Sequence, residues 1–179
     1  MLIWITSMKE LNFGQLMAVY EEGNRENGQE FWPELPEGQQ IHLAEQDFYQ
    51  YLRESFFPAE EAVYAVWSVN GKYVSALRLE PYQDGLLLEA LETAPEHRRK
   101  GYAAALLRAV LEQRQNIKIY AHIHKKNTPS LRTHESCGFR RILDHAVYID
   151  GSVRSNSCTL CYETASQTGG RIQRGNVSY

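Results

Sequence analysis

The chain has 179 residues, 43% of them apolar and 23% charged, enough for one substantial core and too few to expect two. No apolar run approaches the roughly 20 residues of a membrane span, and the start Met1-Leu2-Ile3-Trp4-Ile5 lacks a basic leader. Three cysteines argue against a disulfide framework, so a cytoplasmic protein is expected. The net charge of −3 hides an asymmetry. Residues 1–61 hold twelve acids against Lys9, Arg25 and Arg53, a net of −9, and the remainder nets +6. One part suits a cationic ligand and the other an anionic one. Apart from Arg98–Lys100 the cations are scattered, which speaks against nucleic acid as a partner.

Leu2 to Thr6 alternates as a first strand, and Leu11, Leu16, Val19 and Tyr20 recur at helical spacing until Gly23. Asn24 to Gln40, rich in Gly, Pro, Glu and Asn, is expected to be a long loop, with Phe31-Trp32 as a packed anchor or a lid. Ala44, Phe48, Leu52 and Phe56 lie four apart and predict an amphipathic helix over 44–57, ending before Pro58. Residues 62–69 and 73–79 are strand-like runs joined through Asn70-Gly71, a hairpin signal. A turn over Pro81 to Gly85 leads into a strand over 86–93. The helix from Gly101 carries Leu106, Leu107, Val110 and Leu111 on one face, and Ile117 to Ile123 alternates cleanly. Strand, helix, strand implies a parallel crossover between 86–93 and 117–123. A short helix follows from Asn127-Thr128-Pro129 to Cys137, then a hairpin turning at Asp150-Gly151 and a last strand over 157–162. One domain over 1–163 and a polar tail over 164–179 are expected.

His97-Arg98-Arg99-Lys100-Gly101-Tyr102-Ala103 sits where a strand hands over to a helix. Three cations, free backbone N–H groups and the positive helix end favour an anion there, and Gly101 lets the backbone approach it. A dinucleotide site lacks its second and third glycines, and a nucleoside triphosphatase lacks its Gly-Lys-Ser/Thr. Cys158-x-x-Cys161 has no second pair, and its side chains alternate across a strand, so these read as core cysteines. His122-x-His124 lacks a third ligand, and no metal is expected.

The block Thr93-Ala94-Pro95-Glu96-His97-Arg98-Arg99-Lys100-Gly101-Tyr102-Ala103 resembles the Pro-x-x-Arg/Gln-x-x-Gly-x-Gly/Ala signature of the GNAT family of acetyl-CoA-dependent N-acetyltransferases. Asn127-x-x-Ser130-Leu131-Arg132-Thr133-His134-Glu135-Ser136-Cys137-Gly138-Phe139 is similar to the family's Asn-to-Gly-Phe segment. The resemblance implies an α/β fold whose mixed, mostly antiparallel sheet is splayed between the fourth and fifth strands and flanked by helices. Acetyl-CoA would lie in that gap. By the same likeness the amides of Arg99, Lys100, Gly101, Tyr102 and Ala103 would hold the pyrophosphate, with Arg98 beside them. Leu91 to Thr93 would pair with the pantetheine arm, and Asn127 and Arg132 would border the far arm.

The implied reaction moves an acetyl group to a primary amine, on a small molecule or a peptide, by direct attack in a ternary complex. The family commonly has a Tyr as proton donor to the thiolate, where this chain has His134; a neutral histidine can still donate from one ring nitrogen. Glu89 and Glu92 interrupt an apolar strand and, three apart, face opposite sides unless a bulge intervenes. The likeness of residues 88–93 to aminoglycoside-acetylating members favours Glu89 as the amine anchor or a water-mediated base. The alternative is a non-catalytic acyl-CoA-binding or sensing module. No membrane partner is expected, and a homodimer is left open.

Overall fold

The computed structural model describes residues 1–164. Apart from Thr164, the tail read over 164–179 lies outside them.

A strand β1 (Leu2–Ile5) is followed by α1 (Phe13–Val19), α2 (Glu21–Phe31) and α3 (Glu37–Tyr51), with a π-helical turn at Leu52–Phe56. The strands β2 (Val63–Val69), β3 (Lys72–Tyr82) and β4 (Gly85–Thr93) form an antiparallel meander. Then come α4 (Tyr102–Gln113), β5 (Lys118–His124), α5 (Thr128–Ser136), β6 (Arg140–Leu143), the small hairpin β7 (Ala146–Val147) and β8 (Val153–Arg154), and β9 (Ser157–Tyr162). The seven-stranded sheet has the order β1-β2-β3-β4-β5-β9-β6 and is antiparallel throughout except for β4 and β5. That parallel pair joins only Gly85–Leu88 to Lys118–Ala121, so the strands part beyond Leu88 as the resemblance implied. Among the described residues no helix is long and apolar enough to cross a membrane.

The sheet buries both faces. On one, Leu106, Leu107, Val110 and Leu111 of α4 pack on Leu77, Leu79, Leu86 and Leu88. On the other, Leu16, Val19 and Tyr20 of α1 and its end pack with Leu52, Phe56, Tyr64, Val66 and Ala76. Cys158 belongs to the first core, whereas Cys161 packs beside Tyr82, Leu87 and Tyr120 on the other face.

The expected loop over 24–40 is corrected: α2 occupies most of it, and α3 begins at Glu37, seven residues before the helix read from Ala44. Gly28 marks a helix contact, not a loop. A Cβ there would lie 2.8 Å from the Gln40 carbonyl carbon, so the glycine lets α2 and α3 meet at backbone distance. Gln40 Nε2 then donates to the carbonyls of Trp32 and Leu35 at 3.0 and 2.8 Å, tying the connection between the helices. The turn expected over 81–85 is also shorter, because β3 runs on to Tyr82. Pro81 is tolerated because it lies past Leu79, the last β3 residue paired with β2, so no ladder hydrogen bond is lost there.

Candidate active site

The end of β4 and the start of α4 frame a cleft of about 710 Å³ lined by Leu91, Glu92, Thr93, Arg98, Arg99 and the Gly101–Ala104 turn, with Asn127 and Ser130 of α5 opposite. Arg99 (φ 59°) and Gly101 (φ 82°) are both left-handed, a backbone shape that gathers N–H groups into an anion nest. Gly101 is the N-cap of α4 and no side chain caps that end, so the first-turn amides of α4 stay free of side-chain partners. Beyond its chain neighbours nothing lies within 4 Å of a Cβ placed on Gly101, which lines the open cleft. These features fit the pyrophosphate of coenzyme A. The edge of β4 past Leu88, which β5 leaves unpaired, fits an extended pantetheine arm.

Not every implied cofactor residue reaches the cleft. Lys100 Nζ turns back to donate to the Glu96 carbonyl at 2.9 Å, and Arg132 projects from the exposed side of α5; neither lines the cavity. Arg98 does line it, with Nε donating to the Thr93 carbonyl at 3.1 Å and its guanidinium ion-paired to Glu22 of α2. Asn127 lines it while its side chain caps α5 by accepting from the Ser130 N–H at 3.2 Å.

The two glutamates are brought to one face by a bulge. Arg78 pairs with Glu89 and Ala76 with Glu92, so Ala90 and Leu91 together oppose Leu77, and Ala90 adopts φ 51°. Without the extra residue Glu92 would share the α4 face with Leu88. With it, the carboxylate faces α2, where a Cβ on Gly23 would stand 2.7 Å from Glu92 Oε1. The bulge is pinned from α1: Tyr20 Oη donates to the Ala90 carbonyl at 2.7 Å and accepts from Tyr64 Oη at 3.2 Å. Tyr20→Phe removes that restraint from a part-buried carbonyl, and it should lower stability by about 1–2 kcal/mol in urea melts. A several-fold loss of kcat/KM from misplaced Glu92 should accompany it.

Glu89 is spoken for. Arg78 binds it at 3.1 Å and reaches Glu80 at 3.5 Å, and its guanidinium stacks over Tyr51 at 5.0 Å from the ring centroid. Its carboxylate opens on a separate cavity of about 750 Å³ bounded by Tyr148 and Arg154. Glu92 is different. Burial pushes its carboxyl up to about 7, with Arg98 opposing and Glu26 and Glu22 adding to the rise. Among the described residues it alone lines both the cleft and a second pocket of about 370 Å³ between α2, α3 and β4.

His134 is 2% exposed and does not line the cleft, although its helix neighbours Ser130 and Thr133 do. Its Nδ1 lies 2.8 Å from the Ser130 carbonyl, which requires the proton on that nitrogen and leaves Nε2 a buried lone pair without a partner. Burial holds its pKa below the usual histidine value despite that carbonyl. A neutral Nδ1–H tautomer turned onto its own helix is poorly placed as acid to a thiolate. His134→Phe should therefore change kcat by less than about threefold, where loss of a general acid costs on the order of a hundredfold or more. His122 is likewise fixed, between Thr159 Oγ1 at 3.1 Å and the Val147 carbonyl at 3.0 Å, away from the cleft.

The pocket beyond Glu92 is what sequence reasoning missed. Its wall is built by the helix that replaced the expected loop, and the only local signal was the aromatic pair Phe31-Trp32 facing Phe48 and Tyr51 at helical spacing.

Comparisons with known proteins bear on the fold and the family. No curated protein matches the chain by sequence. The structure is similar to the ribosomal-protein-S18-alanine N-acetyltransferase of Escherichia coli, at TM-score 0.56 and 18% identity over 94% of this chain and 98% of that one. It is similar to the PaiA N-acetyltransferase of Thermoplasma acidophilum in complex with coenzyme A, at 0.59 and 11% over 92% and 99%. A spermidine N-acetyltransferase of Vibrio cholerae aligns at 0.56 and 22% over 90% and 93%. These likenesses carry the fold. The family itself is shown by residues 24–139, which match the Acetyltransferase (GNAT) family and take in both the nest and α5. The chain therefore belongs to the GNAT acetyltransferases, acyltransferases whose donor is acetyl-CoA.

Proposed function

We propose that this acetyltransferase acts on a primary amine by direct attack in a ternary complex, with Glu92 as the base. The observation that carries this reading is the place of Glu92, a carboxyl titrating near neutrality in the wall shared by the donor cleft and the second pocket. Acetyl-CoA supplies the acetyl group already activated as a thioester. The nest at Arg99–Gly101 and the first-turn amides of α4 hold the diphosphate. Backbone N–H groups at the Ala90–Thr93 end of β4 are available to the acetyl carbonyl oxygen. An alkylammonium must lose its proton before its nitrogen can attack, and Glu92 takes that proton directly or through one water. None of Cys137, Cys158 and Cys161 lines the cleft, which favours direct transfer over an acyl-cysteine route.

The acidic N-terminal third supports a cationic acceptor, since its Glu22 and Glu26 line the cleft beside Glu92 and its Asp47 stands at the second pocket. The similar structures named for spermidine and for a ribosomal-protein alanine mark the two kinds of amine to compare, small molecule and peptide. Thiol release from acetyl-CoA, followed against alkylamines, polyamines, aminoglycosides and peptides, tests the reading. Amine-dependent release is expected. Tight coenzyme A binding without release for any amine would overturn it in favour of a binding or sensing module.

A further inference from the structure

The pocket beyond Glu92 has a chemistry of its own, and its assignment to the acceptor rests on the acetyl-transfer reading. Phe31, Trp32, Phe48 and Tyr51 line it together with the polar Asn24 and Asn27, and the Phe31 and Trp32 ring centroids lie 6.0 Å apart at 64°. Phe31 stays 65% exposed, an apolar ring at the end of α2 that little of the described chain covers. The backbone of Trp32 is held at both ends, its N–H donating to the Gly28 carbonyl at 3.0 Å and its carbonyl accepting from Gln40 at 3.0 Å.

Charge in the pocket is of one usable sign. Glu92 closes the end nearest the donor cleft, and Asp47 stands exposed at the rim. Arg78 also reaches the wall, but Glu89 and Glu80 occupy its guanidinium and Tyr51 lies under it. Among the described residues of the wall no free cation awaits a substrate carboxylate, so an amino acid would set its carboxylate against Glu92 and Asp47. A polyamine's inner ammonium groups would meet aromatic faces, which attract a cation, but beyond Glu92 only the exposed Asp47 stands in the wall to neutralise them. The pocket's volume, near the lower limit for small-ligand sites, suits a compact molecule better than a peptide.

The geometry points to an arylalkylamine as acceptor: a primary amine at Glu92 joined by a short chain to an aromatic ring lying among Phe31, Trp32 and Phe48. The test compares phenethylamine and tryptamine with ethylamine, spermidine, glycine and an alanyl peptide. Thiol release gives kcat/KM, and calorimetry with coenzyme A present gives amine binding. The arylalkylamines should exceed ethylamine by about tenfold or more in kcat/KM, the value of burying one ring. Trp32→Ala should cost phenethylamine about tenfold more than it costs ethylamine, and Phe31→Ala, at an exposed position, should repeat the trend if the first variant folds poorly. Preference for spermidine, glycine or the peptide, or equal losses for both amines in both variants, overturns the assignment. Phenethylamine that binds with this aromatic dependence but releases no thiol upholds the pocket and sinks acetyl transfer; failure of both arylalkylamines to bind sinks the pocket.

Discussion

Glu92→Gln is expected to lower kcat for amine acetylation by about 10²–10⁴-fold while leaving coenzyme A affinity within a few-fold, because it removes a base and no cofactor contact. The pH dependence carries the same assignment. The carboxyl titrates near 7 and acts only when ionised, so wild-type kcat should rise as pH passes through about 7, and the glutamine variant should lack that limb. Stability moves in the opposite sense. The folded carboxyl holds its proton to about 7, whereas in the unfolded chain it ionises near 4.5, so between those values the unfolded state binds fewer protons. Raising pH across that window should cost the wild type roughly 1–3 kcal/mol that Glu92→Gln does not lose. Urea melts at pH 4.5 and 7.5 on both proteins measure this. Activity and stability trending oppositely with pH, both abolished by one substitution, is the signature of a base held in a desolvated position. An unchanged pH–rate profile in the variant would remove Glu92 from the chemistry.

The contrast between what local sequence showed and what it hid follows the range of the interactions. The nest geometry at Arg99–Gly101 was legible because everything it needs, cations, glycine and a strand-to-helix junction, lies within seven residues. The meander was legible because Asn70-Gly71 takes the two left-handed conformations its turn requires, at φ 51° and 77°. Helix α2 was not, since Gly23, Asn24, Asn27 and Gly28 are poor helix formers. Two of them are explained only by distant partners, Gly23 by Glu92 and Gly28 by Gln40. The bulge in β4 has no glycine to announce it and is held by a tyrosine hydroxyl seventy residues earlier, so the residues alone did not show that both glutamates share a face, and the likeness favoured Glu89. The i, i+4 pairing of His134 with Ser130 is readable from spacing, but the burial that turns it away from the cleft is tertiary.

Gly101→Val should weaken coenzyme A binding by at least about a hundredfold. Two causes would act together in that variant. A β-branched residue at φ 82° is strained by about 1–3 kcal/mol, and its side chain would fill the space left open for the diphosphate. Gly101→Asn separates them, because asparagine tolerates the left-handed region while still placing a side chain in the cleft. Since no atom outside its immediate chain neighbours lies within 4 Å of the new Cβ, the asparagine variant should melt within a few degrees of the wild type and yet bind coenzyme A poorly by calorimetry. Turnover of a truncated donor without the diphosphate, S-acetylpantetheine, should fall far less than turnover of acetyl-CoA, because the lost contact lies only at the phosphates. Should Gly101→Asn keep wild-type affinity, the space above Gly101 is not where the diphosphate sits. An equal loss for both donors would instead mean that the turn positions the end of β4 and not the phosphates.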